Sequence, residues 1–167
     1  MRTGSLEARL TAAMRGVFGA DTGRIGHALT VWGHARELMA GESVDRDVVT
    51  AAAILHDIGI AEAERKHGSA DGKWQELEGP PIARRILEAD GMDQPRIEHV
   101  CRIIANHHSA RDIDTPEFRI IWDADWLVNL PDVFPKAESG ELARHIGRIF
   151  RTPAGAAAAR RLFLKED

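Results

Sequence analysis

The sequence predicts an all-α fold in which residues 1–167 form a single compact helical bundle. Apolar residues recur at three- and four-residue spacing in successive segments, and no segment alternates apolar and polar residues as a half-buried strand would. Helix-capping residues, chiefly Asp, Ser, Thr and Gly, stand at the borders of these segments. The length of 167 residues suits one domain, and the hydrophobic content of 44% allows a substantial core.

Capping residues divide the first third of the chain into segments of helical length. Ser5, Asp21 and Asp45 are suitable N-caps and precede periodic apolar stretches. Gly41 and Gly59 follow the second and third stretches, where glycine commonly ends a helix. The predicted helices of the whole chain cover residues 5–18, 21–40, 45–59, 80–91, 93–108, 115–131, 139–150 and 154–164.

Proline supports the predicted helix starts in the second half of the chain. Pro80-Pro81, Pro95, Pro116 and Pro153 stand where these helices should begin. Proline is tolerated there because the N–H groups of the first turn have no helical partner. The last segment is Ala-rich and carries basic residues near its C-terminal end, where the helix dipole favours them.

Residues 60–77 interrupt this pattern and are predicted to form a long loop. The stretch is the longest polar one in the chain and shows no regular apolar spacing. It carries the basic residues Arg65, Lys66 and Lys73. A long loop within a compact domain is more often functional than idle, so we expect it to lie beside a site.

The composition excludes several classes of function. The net charge of −4 and the pI near 6.1 give no reason to expect a nucleic-acid partner. No segment approaches the roughly 18 apolar residues of a membrane span, and the first residues lack the apolar core of a signal peptide, so a cytoplasmic protein without membrane contact is expected. The single cysteine, Cys101, excludes an intrachain disulfide and a metal site of several cysteines.

His56 and Asp57 are the most informative pair of residues in the sequence. They follow the apolar run Ala51-Ala-Ala-Ile-Leu55, which should belong to a buried helix. Burying an imidazole and a carboxylate is costly unless each finds a partner, and a divalent cation would satisfy both. The pair therefore predicts a metal site, provided that other helices supply further ligands.

The second predicted helix offers a histidine to this site. His27, Val31 and His34 share one face of that helix because they are spaced by four and three residues. Antiparallel helices joined by a short turn bring the start of one beside the end of the next. We therefore expect His27 to meet His56, with His34 as the alternative.

Two aspartates in the apolar stretch near residue 125 are further candidates. Asp123 and Asp125 point about 200° apart on a helix, so at most one of them faces the site. A mixed set of imidazole and carboxylate ligands suits iron, manganese, nickel, cobalt or zinc better than calcium. The expected cofactor is therefore a divalent transition metal.

In their order and spacing, these motifs resemble those of the HD-domain metal-dependent phosphohydrolases, whose pattern is H…HD…D on a helical bundle. The resemblance covers most of the chain, with a motif-bearing core at about residues 21–131. It favours Asp125 over Asp123, because Asp125 matches the aspartate of an A-D-x-L segment. The metal ligands that it implies are His27, His56, Asp57 and Asp125.

The resemblance also leaves open a second metal ion. Some members of the superfamily bind one through additional histidines, and His107-His108 match an adjacent pair among them. Where those members place a further histidine, this chain has Glu78, which would serve as an oxygen ligand or hold a metal-bound water. In the hydrolysis that the resemblance implies, either Asp57 or His108 would transfer the proton.

One departure from the family pattern concerns phosphate binding. The lysine that commonly follows H-D-x-G and contacts phosphate is replaced by Ile60. The role would pass to Arg65, Lys66 or Lys73 of the predicted loop, unless the substrate itself differs.

The activity implied by the resemblance is hydrolysis of a small phosphate ester, such as a nucleotide, by a metal-activated water. The expected partner is that small molecule, and a homo-oligomer stays open. Two other functions also stay open. One is a mixed-valent diiron oxygenase of the HD fold, which the same ligands would serve. The other is a non-catalytic, metal-stabilised regulatory module, which the missing lysine favours.

Overall fold

Helices form the regular structure of this protein. The computed structural model describes residues 3–164, and this range contains nine α-helices and no strand, which confirms the all-α prediction. The helices are α1 (Leu6–Phe18), α2 (Thr22–Met39), α3 (Arg46–Leu55), α4 (Ile60–His67), α5 (Gly72–Asp90), α6 (Gln94–Ile104), α7 (Pro116–Val133), α8 (Ser139–Ile149) and α9 (Pro153–Phe163). Within the described range, no helix combines the length and the apolar character needed to cross a bilayer.

Side chains cap most helix starts where the sequence predicts them. Ser5, Asp21 and Asp45 accept backbone N–H groups from the first turns of α1, α2 and α3. Thr115 and Thr152 do the same for α7 and α9. These hydrogen bonds satisfy N–H groups that have no partner within the helix.

The prediction of a loop over residues 60–77 is wrong. This stretch contains α4 and the first part of α5, and α4 ends at Gly68, whose φ of 64° is left-handed. The two prolines predicted to start a helix, Pro80 and Pro81, lie inside α5 instead. The sequence shows no apolar spacing here because the buried face of α5 carries polar side chains, namely Gln75, Glu76 and Glu78.

The central helix of the fold is α3. Eight of its ten residues are buried, and it packs against α1, α2, α6 and α7. α2 also packs against α7, and α9 packs against both α7 and α8. Because α3 is surrounded, polar groups at its C-terminal end are removed from water and must find partners within the protein.

Two glycines let the turn after α3 approach α5 closely. A Cβ atom on Gly59 would lie 2.5 Å from the backbone nitrogen of Gly79, closer than real Cβ atoms come. Any side chain at Gly59 would push the turn and α5 apart. The contact therefore fixes the position of the residues that immediately precede Gly59.

Candidate metal centre

Four side chains from three parts of the fold converge on one point. His27 lies on α2, Asp125 lies on α7, and His56 and Asp57 begin the turn after α3. His27 Nε2 is 3.3 Å from His56 Nε2. It is also 3.3 Å from Asp57 Oδ2 and 3.0 Å from Asp125 Oδ1. These four residues are called the His/Asp cluster below.

The cluster is buried at its base and opens toward solvent on one side. The His56 side chain is 0% exposed, those of Asp125 and Asp57 are 12% and 14% exposed, and that of His27 is 23% exposed. This gradient follows from the fold, because α3 is central and contacts both α2 and α7. A small molecule can therefore reach the cluster from the His27 side.

A hydrogen bond at the rear of the His56 ring decides which nitrogen faces the cluster. His56 Nδ1 donates to the Ala53 carbonyl oxygen at 2.8 Å, so a neutral ring presents an Nε2 lone pair. That nitrogen is 3.3 Å from Asp57 Oδ2 and 3.5 Å from Asp125 Oδ1, which are also acceptors. Acceptors this close repel one another unless a proton or a metal ion lies between them. Metal-binding histidines are commonly held in this way through the other ring nitrogen.

The spacing of the donor atoms matches one first-row metal ion. Ligands about 2.1 Å from a common ion are about 3.0 Å apart at adjacent octahedral corners and about 3.4 Å apart in a tetrahedron. The imidazole nitrogens of the cluster lie 3.0 to 3.5 Å from each other and from the nearest oxygen of each carboxylate. Two imidazole nitrogens and two carboxylates also have the chemistry that iron, manganese, cobalt, nickel and zinc prefer. The residues therefore fit a divalent transition metal.

Charge within the cluster favours a bound cation. Burial would raise the pKa of Asp57, but the charge of His56 and a hydrogen bond with His107 outweigh it and hold that pKa well below its usual range. Burial is likewise outweighed at Asp125, whose pKa is lowered by hydrogen bonds with His27 and His56. Burial alone would lower the pKa of His56. Asp57 and Asp125 outweigh burial and hold this pKa well above its usual value. Both carboxylates are thus ionised and hold positive charge between them.

Asp57 also faces a second group of histidines. Its Oδ1 atom is 3.2 Å from His107 Nε2, whereas its Oδ2 atom faces the His/Asp cluster. His107 Nδ1 donates to the Ile104 carbonyl oxygen at 2.7 Å, which repeats the arrangement at His56. Asp57, His107 and His108 offer ligand atoms within 4.8 Å of one another. A carboxylate that bridges two metal ions would be placed in this way.

Gln75 holds His108 and fixes its tautomer. Gln75 Nε2 donates to the Ala70 carbonyl oxygen at 2.7 Å, so its Oε1 atom is the group that faces His108 Nε2 at 3.1 Å. His108 Nε2 therefore carries a proton, and Nδ1 is the free acceptor. Desolvation and then the neighbouring His107 lower the pKa of His108 to about 4, so the ring is neutral near pH 7.

The structure places Glu78, the predicted oxygen ligand of a second metal, in a different set of contacts. Its carboxylate is 2.8 Å from Lys66 Nζ and 2.9 Å from His67 Nε2. These hydrogen bonds hold the pKa of Glu78 below its usual value. Both of these partners lie on α4, and neither belongs to the His/Asp cluster or to the adjacent histidines. The geometry gives its predicted role as a ligand no support.

The basic residues predicted to contact substrate lie on α4 and α5, and each has another partner. Arg65 forms two hydrogen bonds with Glu62, at 2.6 and 2.8 Å. Lys66 forms the ion pair with Glu78, and the Lys73 ammonium lies 4.8 Å from the centre of a Trp74 ring. None of these three cations is among the described residues that line the cleft above the cluster.

The two alternative ligands, His34 and Asp123, point away from the cluster. His34 lines a separate cleft with Glu37. Asp123 faces the start of α9, where it accepts hydrogen bonds from the backbone of Arg151 and from Thr152. The structure therefore brings His27 and Asp125 into the cluster in preference to these two residues.

Sequence reasoning missed four polar residues around the cluster. Arg24, Gln75 and Asn129 line the cleft, and Asn129 donates to the carboxylate of Asp125 at 2.9 Å. Glu76 accepts two backbone N–H groups from the turn that follows α6 and carries the adjacent histidines. Arg24 and Asn129 stand three and four residues from predicted ligands, so helical spacing could have found them. Nothing local in the sequence marks Gln75 or Glu76.

A protein-family match covers the part of the chain that holds this site. The sequence model of the HD domain matches residues 24–130. The chain belongs to the HD domain family. The matched range contains the whole His/Asp cluster and the adjacent histidines, so the predicted resemblance to the HD-domain superfamily is confirmed.

The fold of this HD domain is also shared with a solved structure. A crystal structure of a predicted HD superfamily hydrolase from an uncultured Thermotogales bacterium resembles it with a TM-score of 0.68 and 24% sequence identity. The similarity covers 92% of this chain and 83% of that one, and it shows a common fold. No curated protein matches the sequence of this HD domain.

Proposed function

We propose that this HD-domain protein is a metal-dependent hydrolase that cleaves small phosphate esters, with a nucleotide as one candidate substrate. The observation that carries the proposal is the convergence of four metal-capable side chains at an open cleft of about 320 Å³, where the two imidazole nitrogens lie 3.0 to 3.5 Å from each other and from both carboxylates. A cleft of this size is within the range of small-molecule sites. Membership of the HD domain family and the hydrolase description of the structural neighbour support the same reaction class.

The four residues of the His/Asp cluster would hold the metal ion that this reaction needs. When bound, a divalent transition metal polarises a phosphoryl oxygen and lowers the pKa of a water molecule. His27, His56, Asp57 and Asp125 would hold it. The hydrogen bond from His56 Nδ1 to Ala53 fixes the ring so that Nε2 stays directed at the ion position.

His108 is placed to move a proton near the cluster. Its ring is neutral near pH 7, and because Gln75 holds the Nε2 proton, Nδ1 is the nitrogen that would relay a proton. The two oxygens of Asp57 face different groups, so Asp57 orients both the cluster and the His107 ring. His108 and Asp57 therefore remain the proposed residues for proton transfer.

Multiple-turnover hydrolysis tests this proposal directly. Protein loaded with manganese, iron, cobalt, nickel or zinc is assayed against a panel of phosphate monoesters and nucleotides, with metal content measured in parallel. We expect hydrolysis that chelation abolishes, and a loss of on the order of a thousandfold in Asp57→Asn. Hydrolysis that survives in Asp57→Asn would contradict the proposal. An inactive, metal-loaded protein would favour the regulatory module instead.

The two-sided placement of Asp57 supports a second candidate function, a diiron oxygenase. Its Oδ2 atom faces the His/Asp cluster and its Oδ1 atom faces His107, as a carboxylate between two iron ions would. Two iron ions per chain, a paramagnetic resonance signal after partial reduction, and substrate-dependent oxygen uptake would identify this chemistry. Hydrolysis with one metal ion per chain would exclude it.

A further inference from the structure

The cleft above the His/Asp cluster contains a cation that the predicted substrate contacts did not include. Arg24 lines this cleft, and it is the one lysine or arginine among the described residues that do so. Ile60 also lines the cleft and stands where the HD resemblance places a phosphate-contacting lysine. The positive charge of the cleft wall thus comes from α2 rather than from the start of α4.

An anionic substrate needs such a cation in this cleft. As metal ligands, Asp57 and Asp125 each contribute one negative charge, so one divalent metal ion only balances the two carboxylates of the cluster. A phosphate monoester carries between one and two negative charges near pH 7. Bringing it beside the two carboxylates therefore requires a further positive group on the protein.

Arg24 is held in place and still has donors to spare. It lies three residues before His27 on α2, so the two side chains share a face of the helix. Its two terminal nitrogens each donate once to Glu64 on α4, at 2.6 and 3.2 Å, and its Nε atom is 3.4 Å from Asp21. A guanidinium has five N–H groups. One N–H on each terminal nitrogen is therefore not used by Glu64, and such an N–H can donate a charge-assisted hydrogen bond to a phosphoryl oxygen.

We propose that Arg24 binds the phosphoryl group of the substrate and takes the place of the lysine that this chain lacks. Glu64 positions the guanidinium at the rim of the cleft through two hydrogen bonds that bridge α2 and α4. The inference rests on the proposed phosphohydrolase function, because it assigns the anion contact of that reaction.

Equilibrium binding of inorganic phosphate tests the assignment without requiring turnover. The full-length, metal-loaded protein is titrated with phosphate by calorimetry, and its metal content is measured by mass spectrometry. We expect Arg24→Ala to raise the phosphate Kd by roughly tenfold to a hundredfold at unchanged metal content. Arg24→Lys should lose less, since it keeps the charge but not the two hydrogen bonds with Glu64 that position the guanidinium.

Arg84 provides a matched control for the loss of an ion pair between helices. Arg84 on α5 forms two hydrogen bonds with Glu98 on α6, at 2.6 and 2.9 Å, and its side chain is 35% exposed against 29% for Arg24. It is not among the described residues that line the cleft. Arg84→Ala should therefore bind phosphate like the unmodified protein.

The outcomes separate this inference from the proposed function. Unchanged phosphate binding in Arg24→Ala, an equal loss in Arg84→Ala, or no phosphate binding by the metal-loaded protein would overturn the role of Arg24. If phosphate binds through Arg24 but no ester is hydrolysed, the proposed reaction fails and the assignment of Arg24 stands. If esters are hydrolysed with the same kcat/KM in Arg24→Ala, the proposed reaction stands and the assignment of Arg24 fails.

Discussion

Two faces of α7 each bury an aspartate, and the two carboxylates are satisfied in different ways. Asp123 accepts hydrogen bonds from the backbone N–H groups of Arg151 and Thr152 at 2.8 and 2.9 Å, and from the Thr152 hydroxyl at 2.6 Å. Asp125 faces the imidazoles of His27 and His56 instead. The two residues are two positions apart, so helix geometry sends them to opposite sides.

The comparison shows that burial alone does not identify a metal ligand. Around Asp123 the neighbours are permanent donors, and they tie the start of α9 to α7 without any need for a cation. Around Asp125 the neighbours include Asp57 and ring nitrogens that act as acceptors when the rings are neutral. Burial raises the pKa of Asp123, whereas the histidines lower that of Asp125. The side of α7 where acceptors face one another is the side that needs a proton or a metal ion between them.

The largest effect is expected from Asp125→Asn. The substitution keeps the shape of the side chain but removes one negative charge from the His/Asp cluster. We expect metal content to fall from near one ion per chain to a small fraction. Hydrolysis should fall on the order of a thousandfold, because several kcal/mol of charge stabilisation are lost.

The stability of the same variant provides an independent check. Metal at about 100 times its Kd should stabilise the unmodified protein by about 2.7 kcal/mol. That corresponds to a rise in Tm of roughly 5–10 °C for a chain of this length. Asp125→Asn should lack this rise. A variant that keeps both its metal and its rise in Tm would show that Asp125 is not a ligand.

Asp123→Asn should produce the opposite result. The amide oxygen of asparagine can still accept a hydrogen bond. The amide NH2 group, however, would face the Thr152 N–H and hydroxyl groups, which are themselves donors to the carboxylate. We expect a loss of about 1–3 kcal/mol in the free energy of unfolding, measured by urea denaturation. Metal content and the metal-dependent rise in Tm should stay unchanged. Loss of metal without loss of stability would mean that the two aspartates had been assigned the wrong way round.

Most helix boundaries could be predicted because local signals set them. Ser5, Asp21 and Asp45 cap the helices as predicted, and the predicted end near Gly91 agrees with α5. The region of α4 and α5 could not be predicted in this way. Glu76 is buried there because it accepts N–H groups from a turn about 30 residues farther along the chain. Analysis of apolar periodicity assigns polar residues to the exposed face of a helix, so it cannot identify a polar residue that is buried by a distant partner.

The arrangement of the site was only partly accessible from the sequence. Helical spacing placed His27 beside the pair after α3, and it showed that Asp123 and Asp125 diverge. It could not say which aspartate faces the metal, because both sides of α7 are buried, and the choice came from the resemblance to the HD domain. Arg24 shares a helical face with His27, but the loop predicted over residues 60–77 offered three other basic residues for the phosphate contact.

Glu78 extends the comparison to a third carboxylate, for which the smallest effect is expected. It is satisfied by neither backbone donors nor a metal position, but by Lys66 and His67. Glu78 is buried, but the Lys66 side chain is 45% exposed, so water screens their ion pair and its contribution to stability is small. We therefore expect Glu78→Gln to leave metal content unchanged and hydrolysis within about twofold of the unmodified protein.

A second substitution controls for the loss of a partner of Lys66. Lys66 Nζ also lies 3.3 Å from Glu62, so Glu62→Gln removes its other carboxylate partner. The two variants should behave alike if Glu78 acts only through Lys66 and His67. A metal deficit in Glu78→Gln that Glu62→Gln does not share would make Glu78 a ligand, as the sequence suggests. That result would require α5 to shift when metal binds, because the carboxylate would have to leave both of its present partners.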